Sequence, residues 1–398
     1  MSNQLSLTTP RGRIGSIDAF RGLVMLLMMA EVLHLAKVAR AFPDSGLWQW
    51  LGYHQSHVQW LGCSLHDLIQ PGFSFLVGVA LPFSIASRIA RGQSRSKMFA
   101  HTVWRALLLV LLGVFLRSID RGQTHWTFED TLTQIGLGYP FLFLLGLRSF
   151  RTHLIALGVI LGGYWLAWAL YPLPGAGFDY ATVGAKADWS HHAGGFAAHW
   201  NKHLNLGAAF DRWFLNIFPR PEPFVRHVGG YLTLNFIPTL GTMILGLFAG
   251  SWLKAELSPK ARLKRLLLAA AVCFVLAGLL HQLGICPIVK RIWTPSWVLF
   301  SGGWCFLFMA ALYAVIDWRG LKKWAFPLTV IGMNSIAAYL IAHLVHDFTL
   351  GSLRTHLGAE FFAFAGYNLM PLFEGLAVLA VYWLILFWMY RRKLFLRI

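Results

Sequence analysis

Apolar positions in this chain come in long unbroken runs rather than alternating with polar ones. A run of about 20 such residues crosses a hydrocarbon core of about 30 Å as a helix. Ten recur, at about 18–39, 64–87, 98–119, 129–147, 152–171, 229–252, 265–283, 295–316, 325–346 and 368–390. They predict an all-α polytopic membrane protein, a bundle of about ten transmembrane helices. No internal repeat or low-complexity linker divides the chain, so 1–398 reads as a single domain. Its longest stretch outside the runs is a loop at about 172–228. The N-terminus lacks a signal-peptide cleavage pattern, so the first run is expected to be its own anchor.

Composition agrees: 57% of the 398 residues are hydrophobic and 13% charged, which excludes an ordinary water-soluble domain. The net charge of +18 raises the question of nucleic acid, and its distribution answers it. Twenty of the 34 Lys and Arg residues fall on one side of a ten-span arrangement, among them Arg11, Arg13, Arg88, Arg91, Lys254, Lys322, Arg391 and Arg397. The positive-inside rule makes that side cytoplasmic, with both termini inside and no nucleic-acid partner expected. Fourteen of the sixteen histidines fall towards the other side, only His101 and His153 lying near the basic one. Cys63, Cys273, Cys286 and Cys305 have neither zinc spacing nor a disulfide framework and read as packing residues.

Against this background the segment from His57 to Phe75 stands out, because it places ionisable groups at the mouth of an apolar run, where lipid does not repay their desolvation. His57, Trp60, Ser64, Asp67 and Pro71 are spaced to share a helical face, but Gly62 interrupts it. Ser64 followed by Asp67 resembles a capping box, so the second helix is expected to start at Ser64 with His57 in the preceding loop. Asp67 then has a structural as well as a chemical explanation. His57 has only the chemical one. Pro71 is expected to bend the helix one turn in.

Other polar groups interrupt the apolar pattern. Glu31 lies about 20 Å along the first helix from Asp18. With His34 at i+3 it forms a proton-handling pair or a hydrogen bond to another span. Ser335, Tyr339 and His343 recur every fourth residue and, beside Asn334, suit a lined cavity as well as helix-to-helix glue. In the long loop, His199, Lys202, His203 and Asn205 accompany Trp200, which suits a polar sugar-like ligand or an ordered cap. His199 and His203 are spaced for a metal on a helix, but no HExxH pattern completes the site and no metal is expected.

Taken together, the motifs resemble the heparan-α-glucosaminide N-acetyltransferase family of membrane acetyltransferases, in a shorter bacterial form without the N-terminal luminal domain. The resemblance rests on Arg13-Ile-Gly-Ser-Ile-Asp18-Ala-Phe-Arg21-Gly22, on His57, Trp60, Gly62, Asp67, Pro71 and Phe73, and on Trp297. Gly332-Met-Asn334-Ser335-Ile with Tyr339 and His343, and the terminal Tyr390-Arg-Arg-Lys-Leu-Phe, complete it. It implies transfer of acetyl from cytoplasmic acetyl-CoA to the amine of a glucosamine-type sugar across a bacterial cytoplasmic membrane. His57 corresponds to the active-site histidine, as general base or acetyl acceptor, with Glu31 and Asp67 beside it. Asp18, Arg21, Asn334, Ser335 and His343 are the candidate acetyl-CoA contacts, although Asp18 and Arg21 also suit a structural pair. His34, Trp60, His199, Lys202 and Asn205 are the candidate sugar contacts. Besides donor, acceptor and membrane lipid, a second copy of the chain is a candidate partner.

The chain departs from the family pattern at Glu31, where an asparagine is expected, and in Gly229–Pro238, which lacks an acidic Asp-Pro-Glu-Gly motif. A cell-wall or scavenged amino sugar therefore fits better than heparan sulfate. An amino-sugar carrier is the competing reading, since ten spans with midplane polar groups also describe transporters. The lack of a repeat and of paired broken helices in the pattern weighs against it.

Overall fold

The computed structural model describes residues 14–396, so Arg11, Arg13 and Arg397 of the charge count lie outside the described residues. The first helices are α1 (Gly15–Met29), α2 (Leu35–Ala41), α3 (Gly46–His54), α4 (Ile69–Ala90), α5 (Arg95–Ser118), α6 (Thr131–Gly146) and α7 (Phe150–Ala169). They are followed by α8 (Leu206–Phe214), α9 (Phe236–Lys254), α10 (Pro259–Gln282), α11 (Pro295–Leu312), α12 (Phe326–Met333), α13 (Ser335–Leu344), α14 (His346–Leu357) and α15 (Met370–Arg391). No strand occurs among the described residues.

Seven helices, α4, α5, α7, α9, α10, α11 and α15, are long and apolar enough to cross a membrane alone. Two more candidate spans are bent pairs, α1 with α2 at 43° and α12 with α13 at 70°. The 16-residue α6 is apolar but shorter. Each of the ten predicted runs thus contains a helix or helix pair, and the chain is an all-α polytopic membrane protein. The two breaks correct the expectation of unbroken spans. At the first, His34 takes the left-handed conformation at φ 50°, which no regular helix accommodates.

Helix starts follow local chemistry. Ser94, Asp130, Ser149, Ser258 and Thr294 each accept a hydrogen bond from a backbone N–H of the helix they precede. Ile14 cannot do so for α1. Asp317, on a π-helical turn after α11, supplies the cap instead, accepting from Gly15 N at 2.9 Å and Ser16 N at 3.0 Å. Pro71, where the sequence led us to expect a bend, falls in the first turn of α4, where no backbone donor is needed.

Burial sorts the bundle. Of the residues in the apolar window, 78% are buried in α9 and 67% in α4, against 22% in α7 and in α10. Thus α4 and α9 form the centre, and α7 and α10 present their side chains outward. The central pair runs in one direction, Phe75 against Gly246 and Val79 against Gly250. A Cβ on Gly78 would lie 1.9 Å from Met243 O, and one on Gly246 1.9 Å from Phe75 O, so the backbones touch directly.

Candidate active site

Ahead of α4, Gly62 adopts φ +103°, which interrupts the helical spacing after His57. Ser64 and Asp67 then cap each other, Ser64 N donating to Asp67 Oδ2 at 3.0 Å and Asp67 N to Ser64 Oγ at 3.3 Å. A 3-10 turn at His66–Leu68 leads into α4, so the helix begins slightly later than expected and His57 stays in the loop.

Asp67 also reaches back to His57. Its Oδ1 accepts from His57 Nδ1 at 2.8 Å and lies 3.2 Å from Lys290 Nζ, while Oδ2 accepts further from Ser64 Oγ and Val58 N. Lys290 Nζ is also 3.0 Å from His57 Nδ1. The side chains of Asp67 and Lys290 are 1% and 4% exposed and that of His57 is 37% exposed, so one buried ion pair backs an accessible imidazole. With Nδ1 turned to Asp67, Nε2 is the nitrogen left for a ligand. Burial, and after it the Lys290 ammonium, lower the His57 pKa against the opposing bond to Asp67, which favours the neutral, basic ring.

Sequence reasoning missed Lys290. It arrives on the loop between α10 and α11, held to the His57 loop by an isolated Leu61–Val289 bridge and by Arg291 Nε donating to Val58 O at 3.1 Å. The available signal was the Lys290-Arg291 pair, two adjacent cations on the side to which the charge count assigns the fewer.

His57 lines a cavity of about 360 Å³ with Glu31, His66, Arg117, Glu129 and His227. His66 Nε2 is 2.9 Å from Glu31 Oε1, and its ring lies 4.5 Å from that of His57. A second cavity, of about 650 Å³, is lined by Arg21, Arg88, Arg91, His101, Arg105 and Ser335. Phe73, Thr131 and Tyr339 line both cavities. The Ser335, Tyr339 and His343 stripe on α13 accordingly runs from the arginine cavity, through the shared wall, to the histidine cavity.

The remaining candidates scatter. Glu31 faces His66 rather than His34, because the helix breaks between them, and His34 turns to His346. His343, an expected acetyl-CoA contact, lines the histidine cavity and not the cavity of Arg21, Arg88, Arg91 and Arg105. Asn334 is buried at the α12–α13 break, donating to Leu394 O at 2.7 Å and accepting from Leu396 N at 3.0 Å, so its amide is committed to the C-terminal segment. Arg21 lies 3.4 Å from Asp18 and also lines the arginine cavity.

The predicted sugar contacts are not brought to the cavity. Trp60 is 2% exposed and packs with Tyr164, Trp168 and Trp200. His199 lies against Phe196, Lys202 sits over the Trp189 ring, and Asn205 caps α8. The long loop packs Trp200 into an aromatic cluster with Trp60, Tyr164 and Trp168, and His227 near its end reaches the cavity. His203 is left-handed at φ 66°, so it shares no helix with His199, and no metal-binding cluster occurs among the described residues.

Fold and site together define a polytopic membrane protein in which an arginine-lined chamber and a histidine-lined chamber share one wall. No family model matches the chain. It is 25% identical, over 86% of its length, to heparan-alpha-glucosaminide N-acetyltransferase from Homo sapiens, and 24% identical, over 97%, to the Mus musculus protein of that name. The resemblance read from the motifs therefore extends along most of the chain. The chain spans 54% and 60% of the lengths of these curated relatives.

Proposed function

We propose that the protein is a membrane acetyltransferase, moving acetyl from acetyl-CoA in the arginine cavity to the amine of a glucosamine-type sugar in the histidine cavity. The observation that carries this is the shared wall between a chamber suited to phosphates and a chamber holding an oriented imidazole. Arg21, Arg88, Arg91 and Arg105 offer charge-assisted hydrogen bonds to the donor's phosphates. The positive-inside rule supports this reading, since it leads one to expect that chamber on the cytoplasmic side with acetyl-CoA and His57 towards the outer face.

An amino-sugar ammonium, with a pKa of roughly 8 by analogy with an α-amine, must lose a proton before it attacks. That first proton is released to solvent, and His57 Nε2 takes the second as the neutral amine bonds to the thioester carbon and the carbon–sulfur bond breaks. The imidazolium then returns a proton to the departing thiolate. Asp67 holds the ring by Nδ1, and Lys290 balances the Asp67 charge while His57 is neutral. Acetylation of His57 Nε2 as an intermediate would use the same orientation.

The test is transfer of labelled acetyl from acetyl-CoA to glucosamine by the purified full chain in lipid nanodiscs. Wild type should form N-acetylglucosamine and His57→Ala should not; equal background in both defeats the proposal. The two bent spans favour one other reading, an amino-sugar carrier. Accumulation of labelled glucosamine in proteoliposomes lacking CoA would establish that instead.

A further inference from the structure

Phe73 from α4, Thr131 from the start of α6 and Tyr339 from α13 line both cavities. All three are half-buried. The Tyr339 ring is stacked on His343 at 4.3 Å, and His343 Nδ1 bonds back to Tyr339 O at 2.8 Å, which fixes the side chain in the wall. Its hydroxyl makes no hydrogen bond among the described residues and so retains a donor. Three converging helices thus leave a septum built from one phenyl ring, one phenol and one short β-branched side chain.

We infer that this septum selects the acyl group by length, and that the Tyr339 hydroxyl is a catalytic residue holding the thioester carbonyl oxygen. The inference rests on the acyl-transfer reading above. A donor whose charged end stays among the arginines presents its carbonyl to the amine only where the chambers meet. Phe73 and Thr131, which line both cavities, would bound the acyl chain beyond that carbonyl, so each methylene added to acetyl is expected to meet the wall. As the amine attacks, negative charge develops on the carbonyl oxygen and the Tyr339 O–H donates a hydrogen bond to it without giving up its proton. The amine proton still goes to His57 and the electron pair of the broken carbon–sulfur bond leaves with the thiolate.

Purified full-length protein in nanodiscs, with glucosamine as acceptor, is assayed with acetyl-, propionyl- and butyryl-CoA. Wild type should favour acetyl over butyryl by about 100-fold in kcat/KM, and Phe73→Ala should cut that preference at least tenfold, because removing the ring opens the wall. Tyr339→Phe, which keeps the stacked ring, should lower kcat for acetyl-CoA by about 10- to 100-fold with KM unchanged. Phe73→Ala with wild-type acetyl activity and unchanged acyl preference overturns the length selection. Tyr339→Phe with wild-type kcat overturns the carbonyl contact. No transfer from any donor by well-folded wild type overturns the acyl-transfer reading itself.

Discussion

Asp67→Asn is the most informative single change, because one carboxylate serves both the helix start and the imidazole. It accepts from Ser64 N, Ser64 Oγ, Val58 N, His57 Nδ1 and Lys290 Nζ. The amide keeps one acceptor oxygen and presents an NH2 to donors, leaving the buried Lys290 ammonium without a counter-charge. Breaking a buried pair on one side costs about 3–5 kcal/mol. An imidazole no longer held in the right tautomer costs about 10⁴ in kcat. Adding Lys290→Met removes the stranded charge and should restore most of the stability, a coupling of about 2 kcal/mol or more. Activity should stay low, since His57 remains unoriented. The assays are thermal unfolding in detergent and acetyl transfer to glucosamine. The reasoning is refuted if Asp67→Asn alone is as stable as wild type, or if the double variant regains activity along with stability.

Arg88→Ala should raise the KM for acetyl-CoA about tenfold, more steeply at low salt, with kcat preserved, a charge-assisted hydrogen bond being worth about 1.5–3 kcal/mol; an unchanged KM removes Arg88 from the donor site. The pKa values of His203 and His227 in the long loop are lowered to about 3 and about 4, by burial first and then by neighbouring cations. The unfolded chain takes up their protons from about pH 6.5 downward and the folded chain does not. Their contribution is therefore full above about pH 6.5 and is lost as pH falls towards about 4; a wild-type melting temperature that holds steady over that interval, or a His203→Gln variant with an undiminished slope, contradicts this. Gly246→Leu should destabilise the α4–α9 pair by about 3 kcal/mol, read as a lowered melting temperature in detergent; a wild-type melting temperature would mean the backbones do not meet as closely as described.

The apolar runs announced the helices because lipid imposes length and composition on every span, whatever it packs against. The same uniformity hid the breaks. Apolar residues continue on both sides of Asn334, and beyond His34 they are interrupted only by Lys37 and Arg40 before Phe42, so composition carries little trace of the bends. The Ser64 and Asp67 capping box was readable because its partners are three residues apart. Lys290 is 233 residues from His57 in sequence, and periodicity carries no information at that range. The aromatic loop left its two readings, sugar contact and ordered cap, undivided for a different reason. Tryptophans that stack on a sugar and tryptophans that bury one another have the same composition, and Trp60 and Trp200 do the latter.

The direct backbone contact between α4 and α9 has a consequence for distance. One end of α4 follows the Asp67 hub, its far end carries Arg88, and Phe73 stands between them. From Phe73 to Arg88 is about 22 Å along the axis at about 1.5 Å per residue. Helices joined through glycines with no side chains between them have little room to slide. Thus α4 acts as a ruler: a molecule anchored by its charge at one mark must carry an arm of matching length to reach the other, and shortening that arm cannot be offset by tighter binding of the head.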